Sequence, residues 1–184
     1  IPTVDFLKEC IRKMSEFKQN FFTLYTEHVF RLEQYPDIAP ADGLTKEEIA
    51  ELSAYASHYH IDVIGNFQSF GHMAKILGIP FYENMAESSD ILNPSDEATY
   101  DFLKNVYSEI IPSYSSPFFN INCDETFGLG DGKSKKMAQE IGVDGIYAYH
   151  INRINDLIKP YGKRLMMWGD IAVNNPGIIN KLPP

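Results

Sequence analysis

Segments whose apolar residues recur every three or four positions alternate along this chain with short runs that are almost continuously apolar. After Thr3, the residues Val4, Phe6, Leu7, Cys10, Ile11 and Met14 fall at helical spacing, and the run NFFTLY from Asn20 to Tyr25 then predicts a strand. Thr45-Lys46-Glu47-Glu48 has the form of a capping box, in which the Thr45 hydroxyl and the Glu48 carboxylate each satisfy a free N–H of the first turn. Ile49, Leu52 and Ala56 supply the core stripe of that helix, and IDVIGNF at Ile61 to Phe67 is the next strand. Ser95 or Asp96 caps a third helix running to about Ile111, where Pro112 removes the N–H that another turn would need. Phe118 to Cys123 reads as the third strand. Gly142 to Tyr161 reads as the fourth helix, with Ile146, Tyr149, Ile154, Leu157 and Ile158 toward a core, and Arg164 to Trp168 as the fourth strand.

Helix followed by strand, four times over, predicts a parallel α/β sheet spread over one segment, residues 1–184. Both a doubly wound open sheet and a (β/α)8 barrel have this order, and in both the chemistry gathers at the carboxyl ends of the strands. Those ends carry Thr26-Glu27-His28, Gln68-Ser69-Phe70-Gly71-His72, Asp124-Glu125 and Trp168-Gly169-Asp170. No phosphate-cradling turn follows the first strand, and Gly128-Leu129-Gly130-Asp131-Gly132 lacks the spacing and the Lys of a nucleotide loop. The barrel is therefore the favoured architecture.

Charge narrows the function classes. A net charge of -9, with Lys133, Lys135 and Lys136 as the one basic cluster, argues against a nucleic-acid or anionic-membrane surface and suits a neutral substrate. Cys10 and Cys123 form no disulfide framework and no metal-ligand spacing, so free buried thiols are expected. No apolar run reaches the length of a membrane span, and the first residues lack a charged-then-apolar leader pattern.

The chemistry concentrates at Cys123-Asp124-Glu125-Thr126. From Phe118 onward, Phe119, Ile121 and Cys123 share one parity while Asn120, Asn122 and Asp124 share the other, so one face of the strand is apolar and the other carries amides and an acid. Two adjacent carboxylates repel, which is a starting point for a general acid. His72 just past a strand has a capping or core role open to it as well as a place in the site, and Glu27 with His28 could equally be a solvated loop. Trp168, the one tryptophan, offers either core packing or a flat face for a sugar ring, and Asp170 lies two residues further on. Asn120 and Asn122 could contact ligand or fill the interior with hydrogen-bonded amides. His28, His72, Asp124, Glu125 and Asp170 also leave room for a metal-dependent hydrolase, although no compact ligand spacing is present; no cofactor is expected. His58 and His60 read as surface or capping residues.

The run FNINCDETFGLG resembles the acid-pair motif of family 20 glycoside hydrolases, the exo-acting β-N-acetylhexosaminidases. In that motif His or Asn, any residue, Gly, then Gly or Ala precede Asp and Glu. Asn120, Asp124 and Glu125 match, while Asn122 and Cys123 stand where the motif has small residues. KQNFFTLYTEHVF resembles the family's second barrel strand, LTKEEIAELSAYASHYHIDVIGNFQSFGH its next helix and third strand, and RLMMWGD its fifth strand. The resemblance implies part of a (β/α)8 barrel, approximately strands 2 to 5, and a substrate-assisted retaining mechanism on glycans ending in N-acetylglucosamine or N-acetylgalactosamine. It implies Glu125 as general acid and base, Asp124 as the group that orients the substrate acetamide, His72 and Glu27 as a network around Glu125, and Trp168 lining the acetamide pocket. The family's sugar-binding Arg after the first strand and the aromatics of later strands have no counterpart in this span. A whole barrel typically takes about 250 residues. The isolated segment is therefore expected to be inactive, to leave Phe22, Leu24 and the other interior positions uncovered, and to pair with a second copy or aggregate. A noncatalytic carbohydrate-binding barrel fragment is the competing reading from another class.

Overall fold

The computed structural model describes residues 1–183. Four parallel strands, β1 (Phe21–Thr23), β2 (Asp62–Asn66), β3 (Phe118–Asn120) and β4 (Arg164–Met166), form one sheet in the order 1-2-3-4. The register pairs Phe21 with Asp62, Gly65 with Phe119 and Asn120 with Met166. A doubly wound sheet reverses its strand order at a switch point, so this monotonic order is that of a barrel wall.

Helix α1 (Val4–Glu16) precedes β1, and α2 (Lys46–Ser57), α4 (Glu97–Ile110) and α5 (Lys135–Ile158) are the principal crossovers, with short α3 (Ala74–Leu77) and α6 (Asp170–Asn174) at the strand ends. The caps form as their residue types dictate. Thr3 accepts from Phe6 N–H, and Thr45 and Glu48 make both bonds of the capping box. Of the two candidate caps of α4 it is Asp96 that accepts, from Ala98 N–H. Pro112 then ends the helix in a 3-10 turn, Ile111–Ser113. Helix α5 starts earlier than its periodicity suggests, at Lys135, and the expected start at Gly142 is a break inside it, where φ is +74° and ψ 163°. On α5 the side chains turned to the core are Ile146, Tyr147, His150, Ile151, Ile154 and Ile158, so Tyr147 and His150 occupy the place expected of Tyr149. In α1, Leu7 and Ile11 are buried whereas Phe6 points outward.

Val63, Phe119 and Ile121 pack into the helical layer with Ile49, Leu52, Leu103, Val106 and Ile154. In β1 the parity is the reverse of that expected: Phe22 and Leu24 pack against this outer core, and Phe21 (59% exposed) and Tyr25 occupy the bare inner face. NFFTLY is apolar on both parities, so its alternation carries no phase information. No helix among the described residues is long and apolar enough to cross a membrane.

Candidate active site

All the strands end shorter than their hydrophobic runs, and β3 shows why. Beyond Asn120 the backbone turns left-handed at Asn122 (φ 60°), Cys123 (φ 61°) and Glu125 (φ 51°), as it does at His72 (φ 57°) after β2. Such conformations cost on the order of 1–2 kcal/mol each for residues with a Cβ and persist only where the surroundings hold them. The anchors are visible. Asn122 and Asn66 exchange two amide hydrogen bonds of 2.9 and 3.0 Å, and Asn120 Oδ1 accepts from Asn122 N–H at 2.9 Å. Trp168 N–H donates to the Asn122 carbonyl at 3.0 Å, and Asp170 Oδ2 accepts from Glu125 N–H at 3.2 Å. On the neighbouring loop a Cβ at Gly71 would sit 2.4 Å from the Asp124 carbonyl oxygen, so only glycine lets the two loops approach.

These loops bring His72 onto the acid pair. His72 Nε2 lies 3.3 Å from Asp124 Oδ2 and 3.4 Å from Glu125 Oε2. The two carboxylates are held differently. Asp124 is 19% exposed, and its Oδ1 lies 3.3 Å from the Gln68 Nε2 donor; Glu125 is 58% exposed and projects from the rim. Gln68 Nε2 also donates to the Tyr25 hydroxyl at 2.7 Å, which in turn donates to Glu27 Oε1 at 3.1 Å. Partial burial, reinforced by the Glu27 and Asp124 charges, pushes the Tyr25 phenol up to about 12, so it remains a neutral link in this chain. Among the described residues Glu27 contacts Tyr25 and His28, so its route to the pair runs through Gln68 to Asp124 rather than through His72 to Glu125.

The sequence-predicted residues thus converge in part. Asp124, Glu125 and His72 meet directly, Asp170 touches the Glu125 backbone, and Asn120 braces the turn beneath. Trp168, 46% exposed, stands at the end of β4. Tyr25, Asn66 and Gln68 were not singled out, although Asn66 and Gln68 carry the same signal that marked Asn120: an amide on the inward parity of an apolar strand. Asp170 Oδ1 and Gln68 Oε1 are buried without a protein partner. Cys123 is a free, buried thiol that burial pushes well above its usual range, whereas Cys10 is free but, contrary to expectation, only half-buried. No group of three or more His, Cys, Asp or Glu side chains among the described residues is arranged to hold a metal ion.

The loop after the acids is fixed from below. Glu87, itself buried, accepts N–H bonds from Gly130, Gly132 and Ser134 at 3.2, 3.0 and 2.7 Å and the Ser134 hydroxyl at 2.7 Å. A carboxylate of the chain itself thus occupies the concavity of this glycine-rich run.

Fold and rim together define a barrel-wall segment carrying an anchored and an exposed carboxylate where its third strand ends. The chain belongs to glycosyl hydrolase family 20: it matches the description "Glycosyl hydrolase family 20, catalytic domain" over residues 3–182. Beta-hexosaminidase subunit A2 of Dictyostelium discoideum is 27% identical over 145 residues, covering 73% of this chain and 27% of the relative. Hexosaminidase D of Bos taurus is 24% identical over 140 residues, covering 73% of this chain and 40% of the relative. Among solved structures, the Flavobacterium johnsoniae chitobiase superposes with a TM-score of 0.84 at 21% identity, over 93% of this chain and 30% of that one. The Vibrio harveyi exo β-N-acetylglucosaminidase in complex with N-acetylglucosamine gives 0.78 at 18%, over 95% and 34%. The chain thus spans well under half the length of these relatives, and its fold is that of part of a (β/α)8 barrel.

Proposed function

We propose that this segment supplies the acid pair of an exo-acting β-N-acetylhexosaminidase that removes terminal β-linked N-acetylglucosamine or N-acetylgalactosamine from glycans with retention of configuration. The observation that carries the reading is the unequal holding of two adjacent carboxylates, Asp124 anchored between Gln68 and His72, Glu125 projecting beside the same imidazole. In the first half-reaction Glu125 gives its proton to the glycosidic oxygen as that bond breaks. The substrate's acetamide carbonyl oxygen attacks the anomeric carbon from the opposite face, forming an oxazolinium ion. Asp124 accepts the acetamide N–H and stabilises the positive charge. In the second half-reaction Glu125 takes a proton from water as the water oxygen attacks the anomeric carbon, and the ring opens to restore the acetamide. The arrangement suits these roles physically: a tethered nucleophile gains a large effective molarity, and an anion fixed before the reaction stabilises charge that appears only in the transition state. Trp168 would line the acetamide pocket, and His72, Glu27, Asn120 and Asp170 would hold the two acids in place.

The test uses the full-length protein and the variant Glu125→Gln. Loss of a general acid should slow poor leaving groups by about 100-fold or more while leaving activated phenyl glycosides much less affected. Equal losses on both substrate types would remove Glu125 from the acid role, and activity abolished by a chelator would favour the metal-dependent alternative.

A further inference from the structure

Beneath the rim, α5 carries two buried polar groups that the proposed chemistry does not use. Tyr147 donates its hydroxyl to the Cys123 carbonyl at 2.8 Å, on the residue immediately before Asp124. His150 Nε2 lies 2.8 Å from the Ser69 carbonyl oxygen, three residues before His72. A carbonyl only accepts, so Nε2 carries the proton. The other ring nitrogen faces the Tyr100 hydroxyl at 3.2 Å. Between the two contacts sits Phe70, stacked on His150 at 3.9 Å and lying 5.8 Å from the Tyr147 ring. Tyr147 and His150 are three residues apart on one helix, so they share a face and a rigid spacing.

We propose that Tyr147 and His150 are positioning residues, a two-point clamp by which α5 sets the separation between His72 and the acid pair; the inference rests on the hexosaminidase reading of that pair. Each grips the loop of one partner by a backbone carbonyl. The loops need gripping, because His72, Asn122, Cys123 and Glu125 all hold left-handed backbone conformations that would otherwise relax. A buried hydroxyl and imidazole on a helix's core face are unfavourable unless they are hydrogen-bonded, and their principal partners are these two carbonyls. Burial, helped by Arg153, holds His150 down to about 4, so at neutral pH it acts as a neutral donor.

The experiment compares Tyr147→Phe, His150→Gln, His150→Leu and Glu125→Gln in the full-length protein, on a disaccharide and on an activated phenyl glycoside, with His72 labelled with 15N. Tyr147→Phe removes one hydroxyl. It should lower kcat on the disaccharide by roughly 10-fold, change the activated substrate by less than about 3-fold, leave KM within about 2-fold and shift the His72 ring resonances. His150→Leu should act alike, and His150→Gln, which keeps an N–H donor, should recover most of the loss. If His150→Leu does not fold, the other two variants still decide. A lowered melting temperature with unchanged His72 resonances and no dependence on the leaving group would overturn the clamp, provided that Glu125→Gln shows that dependence. If Glu125→Gln lacks it, the hexosaminidase reading fails, and the His72 resonances alone decide whether α5 sets the geometry.

Discussion

The two faces of the sheet have opposite fates. On the outer face Val63, Phe119 and Ile121 are sealed under the helices, whereas on the inner face Phe21 is 59% and Met166 38% exposed around an open apolar recess that also includes Ile64 and Phe118. The part of the rim that this segment carries is nonetheless ordered. What orders it is the inward-facing amide of Asn66 paired with Asn122, together with Glu87 under the glycine-rich loop and Tyr147 and His150 on α5. The apolar packing of this segment is therefore concentrated on the helical side, and the inner side is bare toward the start of its strands and closed by buried amides toward their ends.

The sharpest way to break that contrast is a pair of truncations. Phe119→Ala empties a site in the sealed layer and should cost about 3–5 kcal/mol, while Met166→Ala on the open face should stay within about 0.5 kcal/mol, both read from urea unfolding. Equal costs would mean that the inner face is packed in solution.

A smaller effect isolates His150. Its pKa falls from 6.5 when unfolded to about 4 in the buried site, so the unfolded chain binds more protons between those values. Its stabilising contribution is complete above about pH 6.5 and is lost as the pH falls toward 4, amounting to about 3 kcal/mol at most. Unfolding of the parent and of His150→Gln across this window should show a shallower pH slope in the variant, and parallel slopes would refute the assignment. The smallest effect concerns the open face. Phe21→Ser combined with Met166→Ser should weaken self-association of residues 1–184 by about 10-fold in sedimentation, with little change in unfolding, since exposed apolar patches drive association.

Helices and strand order were legible in the sequence because capping residues and periodicity act locally: Thr45 with Glu48, Asp96 and Pro112 do what their chemistry dictates. The acid pair was legible because carboxylates beside an apolar run are otherwise unfavourable. The phase of β1 was not, since Phe21, Phe22, Leu24 and Tyr25 are apolar on both sides of the chain. The left-handed turns at Asn122, Cys123 and Glu125 lack the glycine that would announce them and depend on partners distant in sequence. His150 was missed because a histidine on an apolar stripe gives no sign of being core until the Ser69 carbonyl is seen to meet it.

The carboxylate of Glu87 has a consequence for when the site becomes ordered. A chain of backbone N–H groups that would attract an external anion is already saturated by an internal one, so the loop behind Glu125 is organised before any ligand arrives. A lid that closes on its ligand draws on binding energy to become ordered. In this loop the ordering belongs to folding, so none of it has to be drawn from the binding of a ligand.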